Sequence, residues 1–236
     1  MSSKPLALIV GVGDGLSASL ARLFHQSGYR LALAARNAEK LKNLASETEA
    51  FVHTCDASDP GEVKALFAKL EGPLRIAVYN PSARARGPLA DLDPEAVRKA
   101  IEVTAFGAFL VGQEAARRML AQEMEDGVRG TILFTGASAG VKGFPESASF
   151  AMGKFAQRGL GQSMARELHP KGVHVAWINI DGGIRNPKRP ERMDQADNPD
   201  SMLDPDAIAK SYLMLVQQDR SAWSNELDIR PWVERF

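Results

Sequence analysis

"LIVGVGDGLSASLARLF", Leu8 to Phe24, joins an apolar run that stops at Gly11 to a second stretch whose apolar residues recur at helical spacing. Gly11, Gly13 and Gly15 lie between them. The first part predicts a strand and the second, from Leu16 to Gln26, an amphipathic helix closed by Gly28. A strand, a glycine turn and a helix, in that order, suit a pyrophosphate. Glycines let the backbone approach closely, and the helix start offers unpaired N–H groups and a positive dipole end. Gly11, Gly13, Gly15 and Leu16 are therefore the expected phosphate-binding residues of a dinucleotide site, with a ligand-free tight turn as the bland alternative. Asp14 fits such a site only if its carboxylate turns to solvent, because it would repel a pyrophosphate.

Outward from that turn, similar short runs recur: "RLALAA" (30–35), "AFVHTC" (50–55), "LRIAVYN" (74–80), "GTILFTG" (130–136) and "VHVAWINI" (173–180). They are continuously apolar rather than alternating, the pattern of strands covered on both faces, and each is separated from the next by a crossover. The expected crossover helices are Ala38 to Ser46, Pro60 to Leu70, Pro94 to about Met124, and Ala148 to Leu168; "DAIAKSYLMLVQQ" adds a later helix and "SNELDIR" a last strand. The expected class is α/β: a Rossmann-type, doubly wound parallel sheet of about seven strands with helices on both faces, in one domain spanning residues 1–236. Residues 185–206, polar and rich in proline, fit neither element type. They are expected to form a lid beside the carboxyl edge of the sheet, or else a plain surface connection.

Composition excludes several classes. The 236 residues carry 29 basic and 29 acidic side chains, so no global field holds the chain on nucleic acid or an anionic membrane. The single cysteine, Cys55, excludes an internal disulfide and fits a reducing compartment. "PLALIVGVG" is broken too early for a secretory signal and reads as a buried strand, which makes the cytoplasm the simplest location. The histidines His25, His53, His169 and His174 show no metal-ligand spacing, and no metal site is expected.

The second strand ends in Ala35 and Arg36. A site for NAD places an acid there for the ribose hydroxyls, whereas a 2′-phosphate calls for a cation, so NADP is expected ahead of NAD. Arg84 and Arg86, in "SARARGP" after the fourth strand, could attract an anionic substrate or could sit in a solvated loop. In "SASFAMGKFAQRGL" (147–160), Phe150 and Lys154 share a helix face one turn apart.

These motifs together resemble the short-chain dehydrogenase/reductase family over essentially the whole chain. "VGVGDGLS" resembles the family's TGxxxGxG turn, with Ser17 in place of the last glycine, and "YNPS" keeps only Asn80 of its NNAG motif. The resemblance implies that Asp56, with Ala57 beside it in "CDAS", meets the adenine, and that Ile184 lies in the turn that meets the cofactor carboxamide. Asp181 stands where the family has proline. Of the family's four catalytic residues only the lysine, Lys154, remains. Its tyrosine falls on Phe150, its asparagine on Thr104 and its serine on Ala137, with Ser138 adjacent.

Without the phenol, general acid catalysis worth roughly 3–5 kcal/mol of barrier is missing. Lys154 can still hold the ribose of a cofactor, and Lys154 and Ser138 are the expected catalytic residues, with Ser149, Tyr79 and Asp181 as other conceivable acids. Two readings follow: an atypical NADP(H)-dependent oxidoreductase acting on a carbonyl or alcohol, or a catalytically impaired NADP(H)-binding protein with a sensing or structural role. The resemblance also implies a homodimer or homotetramer, associating through the long helices and through "ELDIRPWVERF".

Overall fold

The computed structural model describes residues 4–234; Arg235 and Phe236, the end of the proposed C-terminal association segment, lie outside them. In chain order the elements are β1 (Leu6–Val10), α1 (Leu16–Gln26), β2 (Arg30–Ala35), α2 (Lys42–Thr48), β3 (Phe51–Thr54), α3 (Pro60–Ala68), β4 (Leu74–Tyr79), α4 (Pro94–Ile101) and α5 (Gly107–Leu120). They continue with β5 (Gly130–Thr135), α6 (Ala148–Leu168), β6 (Val173–Ile180), β7 (Gly183–Ile184), β8 (Met202–Leu203), α7 (Pro205–Val216) and β9 (Glu226–Ile229).

Seven of these strands form one sheet in the order β3-β2-β1-β4-β5-β6-β9, and every pairing in it is parallel. Its interior strands β1, β5 and β6 are buried along their whole length, as continuous apolar runs require when helices cover both faces. One apolar cluster packs Phe67, Ala108, Val111 and Ala165 of α3, α5 and α6 against one face. The other packs Leu20, Phe24, Ile208 and Tyr212 of α1 and α7 against the opposite face. The chain order reverses between β1 and β4, so a crevice opens there at the carboxyl ends of the strands.

The structure corrects three expectations. The edge strand β3 is only half covered, with Phe51 54% exposed, because nothing pairs beyond it. The segment from Ala38 begins as a single 3₁₀ turn and becomes α-helical only at Lys42. The expected continuous helix from Pro94 to Met124 ends at Leu120 and is widened between Glu102 and Phe106 into a π turn, closed by the Gly107 N–H on the Glu102 carbonyl.

The π turn has a packing cause. A side chain at Gly107 would overlap the Tyr79 hydroxyl and the Ala57 carbonyl, so the helix lies hard against β4 at that point. The wide turn releases carbonyls from the helical ladder, and other groups take them. Tyr79 donates its hydroxyl to the Val103 carbonyl, and Gln157 Nε2 donates to the Thr104 carbonyl at 3.2 Å. Such single π turns concentrate at functional sites. Among the described residues no helix is long and apolar enough to cross a membrane.

Candidate active site

At the end of β1, Gly11 has φ +82°, and a Cβ there would lie 2.6 Å from the Pro81 ring. Only glycine fits. Below the turn, Asn80 Nδ2 donates to the Gly11 carbonyl at 3.2 Å and to Ser17 Oγ at 2.6 Å, and Ser17 Oγ donates to the same carbonyl at 3.1 Å. Asn80 and Ser17 thus brace the turn. Gly13 and Gly15 differ from Gly11: a Cβ on either would meet nothing within 4 Å, and both line the crevice. Gly15 is the N-cap of α1 and has no side chain to cap it, so the first N–H groups of the helix are left for a ligand. Asp14 lines the crevice, but its Oδ2 lies 2.6 Å from Lys188 Nζ, so a cation offsets its charge beside the turn.

From this turn the crevice runs in both directions. One arm, about 440 Å³, passes between Arg36 and Lys40 on one side and Asp56 and Ala57 on the other. Asp56 Oδ1 accepts from the Ser58 N–H and hydroxyl at 2.9 and 2.6 Å, and its N–H donates to Glu62 Oε2 at 2.7 Å. These bonds, led by the Ser58 hydroxyl and helped by the Arg36 charge, hold the carboxyl below its usual range. Asp56 is fixed as an ionised acceptor, suited to an exocyclic amine. Lys40 escaped the sequence reading; its position four residues after Arg36 on a 3₁₀ turn was the available signal.

The other arm reaches Lys154, Thr135, Ile180 and Ile184. Lys154 is 2% exposed. Its Nζ donates to the Thr135 carbonyl and, at 3.3 Å, to Gln157 Oε1. With the Gln157–Thr104 bond, this makes a chain from the ammonium to the π turn. Burial, with a smaller push from Arg84, brings the Lys154 pKa down to about 7. Phe150 Cα lies one turn earlier, and its ring centroid is 5.9 Å from Lys154 Nζ.

The other conceivable acids are placed elsewhere. Ser138 lines only an outer chamber beyond Phe150 and not the stretch beside Lys154. Tyr79 is spent on Val103, and burial pushes its pKa up far beyond reach. The Asp181 carboxylate lies 3.8 Å from Arg230 Nη2. Ser149 does not bond its own helix: its hydroxyl accepts from the Ala85 N–H and donates to the Ala85 carbonyl, both at 2.9 Å. Thr104 does the same to Ala83, accepting from its N–H at 3.0 Å and donating to its carbonyl at 3.4 Å. These two hydroxyls clamp the chain on either side of Arg84, whose guanidinium carbon lies 3.6 Å from the centroid of the Phe150 ring.

The segment after β6 begins as β7, which pairs with β8 at its far end. Arg185 ties it internally to Asp194 and Asp204 at 2.9 and 3.0 Å. Together with the Lys188–Asp14 pair, these contacts lay residues 185–206 beside the crevice mouth. Among the described residues no group of histidine, cysteine and acidic side chains could hold a metal ion.

The geometry has counterparts among known proteins. The sequence profile of short chain dehydrogenases matches residues 5–190. The crystal structure of a short-chain dehydrogenase from Rhodopseudomonas palustris shares 34% identity and superimposes with a TM-score of 0.81, covering 97% of this chain and 99% of that one. A metagenomic short-chain oxidoreductase crystallised with NADP is 25% identical, with a TM-score of 0.82 over 98% of this chain and 99% of its own. An uncharacterised oxidoreductase of Staphylococcus aureus is 26% identical over 235 residues, 96% of each chain. The profile match over most of the chain and the 34% identity carry the assignment: the chain belongs to the short-chain dehydrogenase family of oxidoreductases.

Proposed function

We propose that the protein is an NADP(H)-dependent oxidoreductase acting on a carbonyl or alcohol, with a proton-transfer site rebuilt around Lys154. The observation that carries this reading is the continuity of the crevice from the uncapped start of α1 to a buried lysine that is poised to titrate. The cofactor supplies or accepts the hydride. Gly13, Gly15 and the backbone of Leu16 hold its pyrophosphate, and Ile184 borders the nicotinamide end. Asn80 keeps the turn in shape from below. Asp56 and Ala57 flank the adenine.

Lys154 has two tasks in this arrangement. Its ammonium bonds the ribose of the cofactor, and with a pKa near 7 it can give up or regain a proton at neutral pH, while Gln157, itself bonded to the π turn, holds its Nζ in place. Ser138 is a second candidate to touch substrate, from the chamber side. Residues 185–206 act as the lid. Phe150, with Arg84 stacked on it, favours a second reading, a protein that binds NADP(H) for sensing or structure without turnover.

The experiment that separates them is NADPH binding by fluorescence, followed by a carbonyl panel with wild type and Lys154→Ala. Turnover that disappears in Lys154→Ala supports the enzyme. Tight binding without turnover on any carbonyl supports the sensor, and no binding of either nucleotide removes both.

Cofactor choice follows from the arm of the crevice that carries Arg36 and Lys40. Two cations there should favour NADPH over NADH by about tenfold or more, as charge-assisted contacts to a phosphate do. Arg36→Ala with Lys40→Ala should bring the two dissociation constants within about threefold of each other. An unchanged ratio in the double variant would refute the role of this pair.

Phe106 and Phe109 of the π turn and α5, and Met152 and Phe155 of α6, are 43%, 41%, 53% and 46% exposed. An apolar patch of this kind on neighbouring helices suits a homodimer or homotetramer. Phe109→Asp with Phe155→Asp should shift the protein to the monomer mass in light scattering. Retention of the wild-type mass would exclude this face as the interface.

A further inference from the structure

Beyond Phe150 the crevice opens into an outer chamber of about 400 Å³. Three guanidiniums line it: Arg84 and Arg86 from the loop after β4, and Arg192 from the 3₁₀ turn Pro190–Arg192. Arg84 also lines the cofactor arm, so it stands at the junction of the two. Among the described residues none of the three forms an ion pair, although seven other arginines do so with carboxylates nearby: Arg22, Arg75, Arg98, Arg117, Arg158, Arg185 and Arg230. The only acid in the chamber lining is Glu146, and it makes no ion pair with them. The cations press on one another: burial first, then the charges of Arg86 and Arg192, pull the Arg84 pKa down to about 10.

This arrangement is built, not incidental to a floppy loop. Thr104 and Ser149, both fully buried, clamp Ala83 and Ala85, the neighbours of Arg84 on each side. Phe150 gives the guanidinium an apolar support, its carbon 3.6 Å from the ring centroid, and no carboxylate takes its N–H groups. A tyrosine in that ring position would place a hydroxyl in the cleft; here the ring is the floor under a cation. Phe144 adds a second apolar wall. Like charges held together without a counterion lack something that an anion would supply.

We propose that the chamber receives an anionic substrate, a carbonyl or hydroxy compound that bears a carboxylate. Its carboxylate lies between Arg84, Arg86 and Arg192, and its body rests along the Phe144 and Phe150 rings. The inference deepens the oxidoreductase reading and rests on it for the reacting carbonyl or alcohol, but the anion site stands on the chamber alone.

The test is calorimetric titration of benzoate, and of its neutral counterpart benzamide, into protein saturated with NADPH so that the phosphate-binding turn is occupied. Benzoate is expected to bind at least about tenfold tighter than benzamide, and Arg84→Gln and Arg192→Gln are each expected to weaken benzoate about tenfold with melting temperature unchanged. Arg220→Gln, outside the crevice, should leave benzoate binding unaltered. Equal binding of the two probes, no binding of benzoate, or benzoate binding indifferent to Arg84→Gln and Arg192→Gln overturns the proposal. Should wild type fail to bind NADPH, the cofactor reading falls, and the same titrations on nucleotide-free protein still decide the anion site by the loss of benzoate binding in Arg86→Gln, because Arg86 lines the chamber and not the cofactor arm, whereas Arg84 and Arg192 line both.

Discussion

Lys154→Met is expected to raise the melting temperature at pH 7 while lowering turnover by about a hundredfold or more. The two effects have one cause. An ammonium buried as deeply as Lys154, with its pKa down from 10.5 to about 7, burdens the folded state because the unfolded chain keeps it charged at no cost. The penalty is on the order of 4 kcal/mol at and below pH 7. Methionine of similar length fills the space without it. Leaving the Thr135 carbonyl short of a partner, while Gln157 keeps Trp177 Nε1 and the Thr104 carbonyl, returns about 1–3 kcal/mol of that, so a net gain of about 1–3 kcal/mol remains. At this chain length each kcal/mol corresponds to roughly 2–4 °C.

The pH dependence gives an independent readout. Between about pH 7 and 10.5 the unfolded chain binds a proton at residue 154 that the folded protein has released, so wild-type stability should climb with pH across that window. Lys154→Met should flatten the climb. Measurement is best confined below about pH 8.5; above it the Cys55 thiol, pushed up by burial to about 11, and then the buried phenols of Tyr79 and Tyr212 favour the unfolded chain. A variant that melts lower than wild type, with the slope retained, would show that Lys154 is a structural ammonium and not a stored functional one.

Gly15→Val and Gly11→Ala are expected to fail in opposite ways. A side chain at Gly15 enters the open crevice, where no atom lies within 4 Å, and occupies the space a pyrophosphate needs. NADPH affinity should fall about a hundredfold or more, since both the close backbone approach and the helix-end N–H groups are blocked. The melting temperature should move far less than in the other variant. At Gly11 the methyl group lands 2.6 Å from the Pro81 ring, on a residue with φ +82°. Overlap and backbone strain together should cost about 2–4 kcal/mol of stability. Thermal melts and NADPH titrations of the two variants check this. Undiminished NADPH affinity in Gly15→Val would remove the phosphate role of the turn.

Much of this was legible from residues alone. Strands covered on both faces must be continuously apolar, so "LALIV", "GTILFT" and "VHVAWINI" announced a parallel sheet wherever it folded. A parallel sheet forces long crossovers, and the helices had to lie between the runs. Gly11, Gly13 and Gly15 marked the turn between the first strand and the first helix, where a glycine-rich backbone lets a ligand approach. That Phe150, Thr104 and Ala137 are the positions to probe for a proton donor was an expectation carried by the family resemblance alone.

Other features came only from contacts distant in sequence. The π turn follows from the close approach of Gly107 to Tyr79 and Ala57, and the carbonyls it releases, of Val103 and Thr104, are taken by Tyr79 and Gln157, 24 and 53 residues away. Local spacing holds no trace of that. Gly13 and Gly15 look the same as Gly11 on paper, and only the position of Pro81 separates a glycine required by packing from glycines that leave space for a ligand. Ser149, a conceivable acid on sequence, spends its hydroxyl on Ala85, 64 residues away.

What the sequence by itself determined was the fold class and the turn that could hold a pyrophosphate, because periodicity and glycine content are local properties of the chain. What the tertiary structure decided was the use of the residues around Phe150. Burial set the pKa of Lys154, the clamps from Thr104 and Ser149 placed Arg84 on Phe150, and Arg192 arrived from a segment more than a hundred residues away. Desolvation and charge proximity depend on what surrounds a group in space, and no reading along the chain contains that.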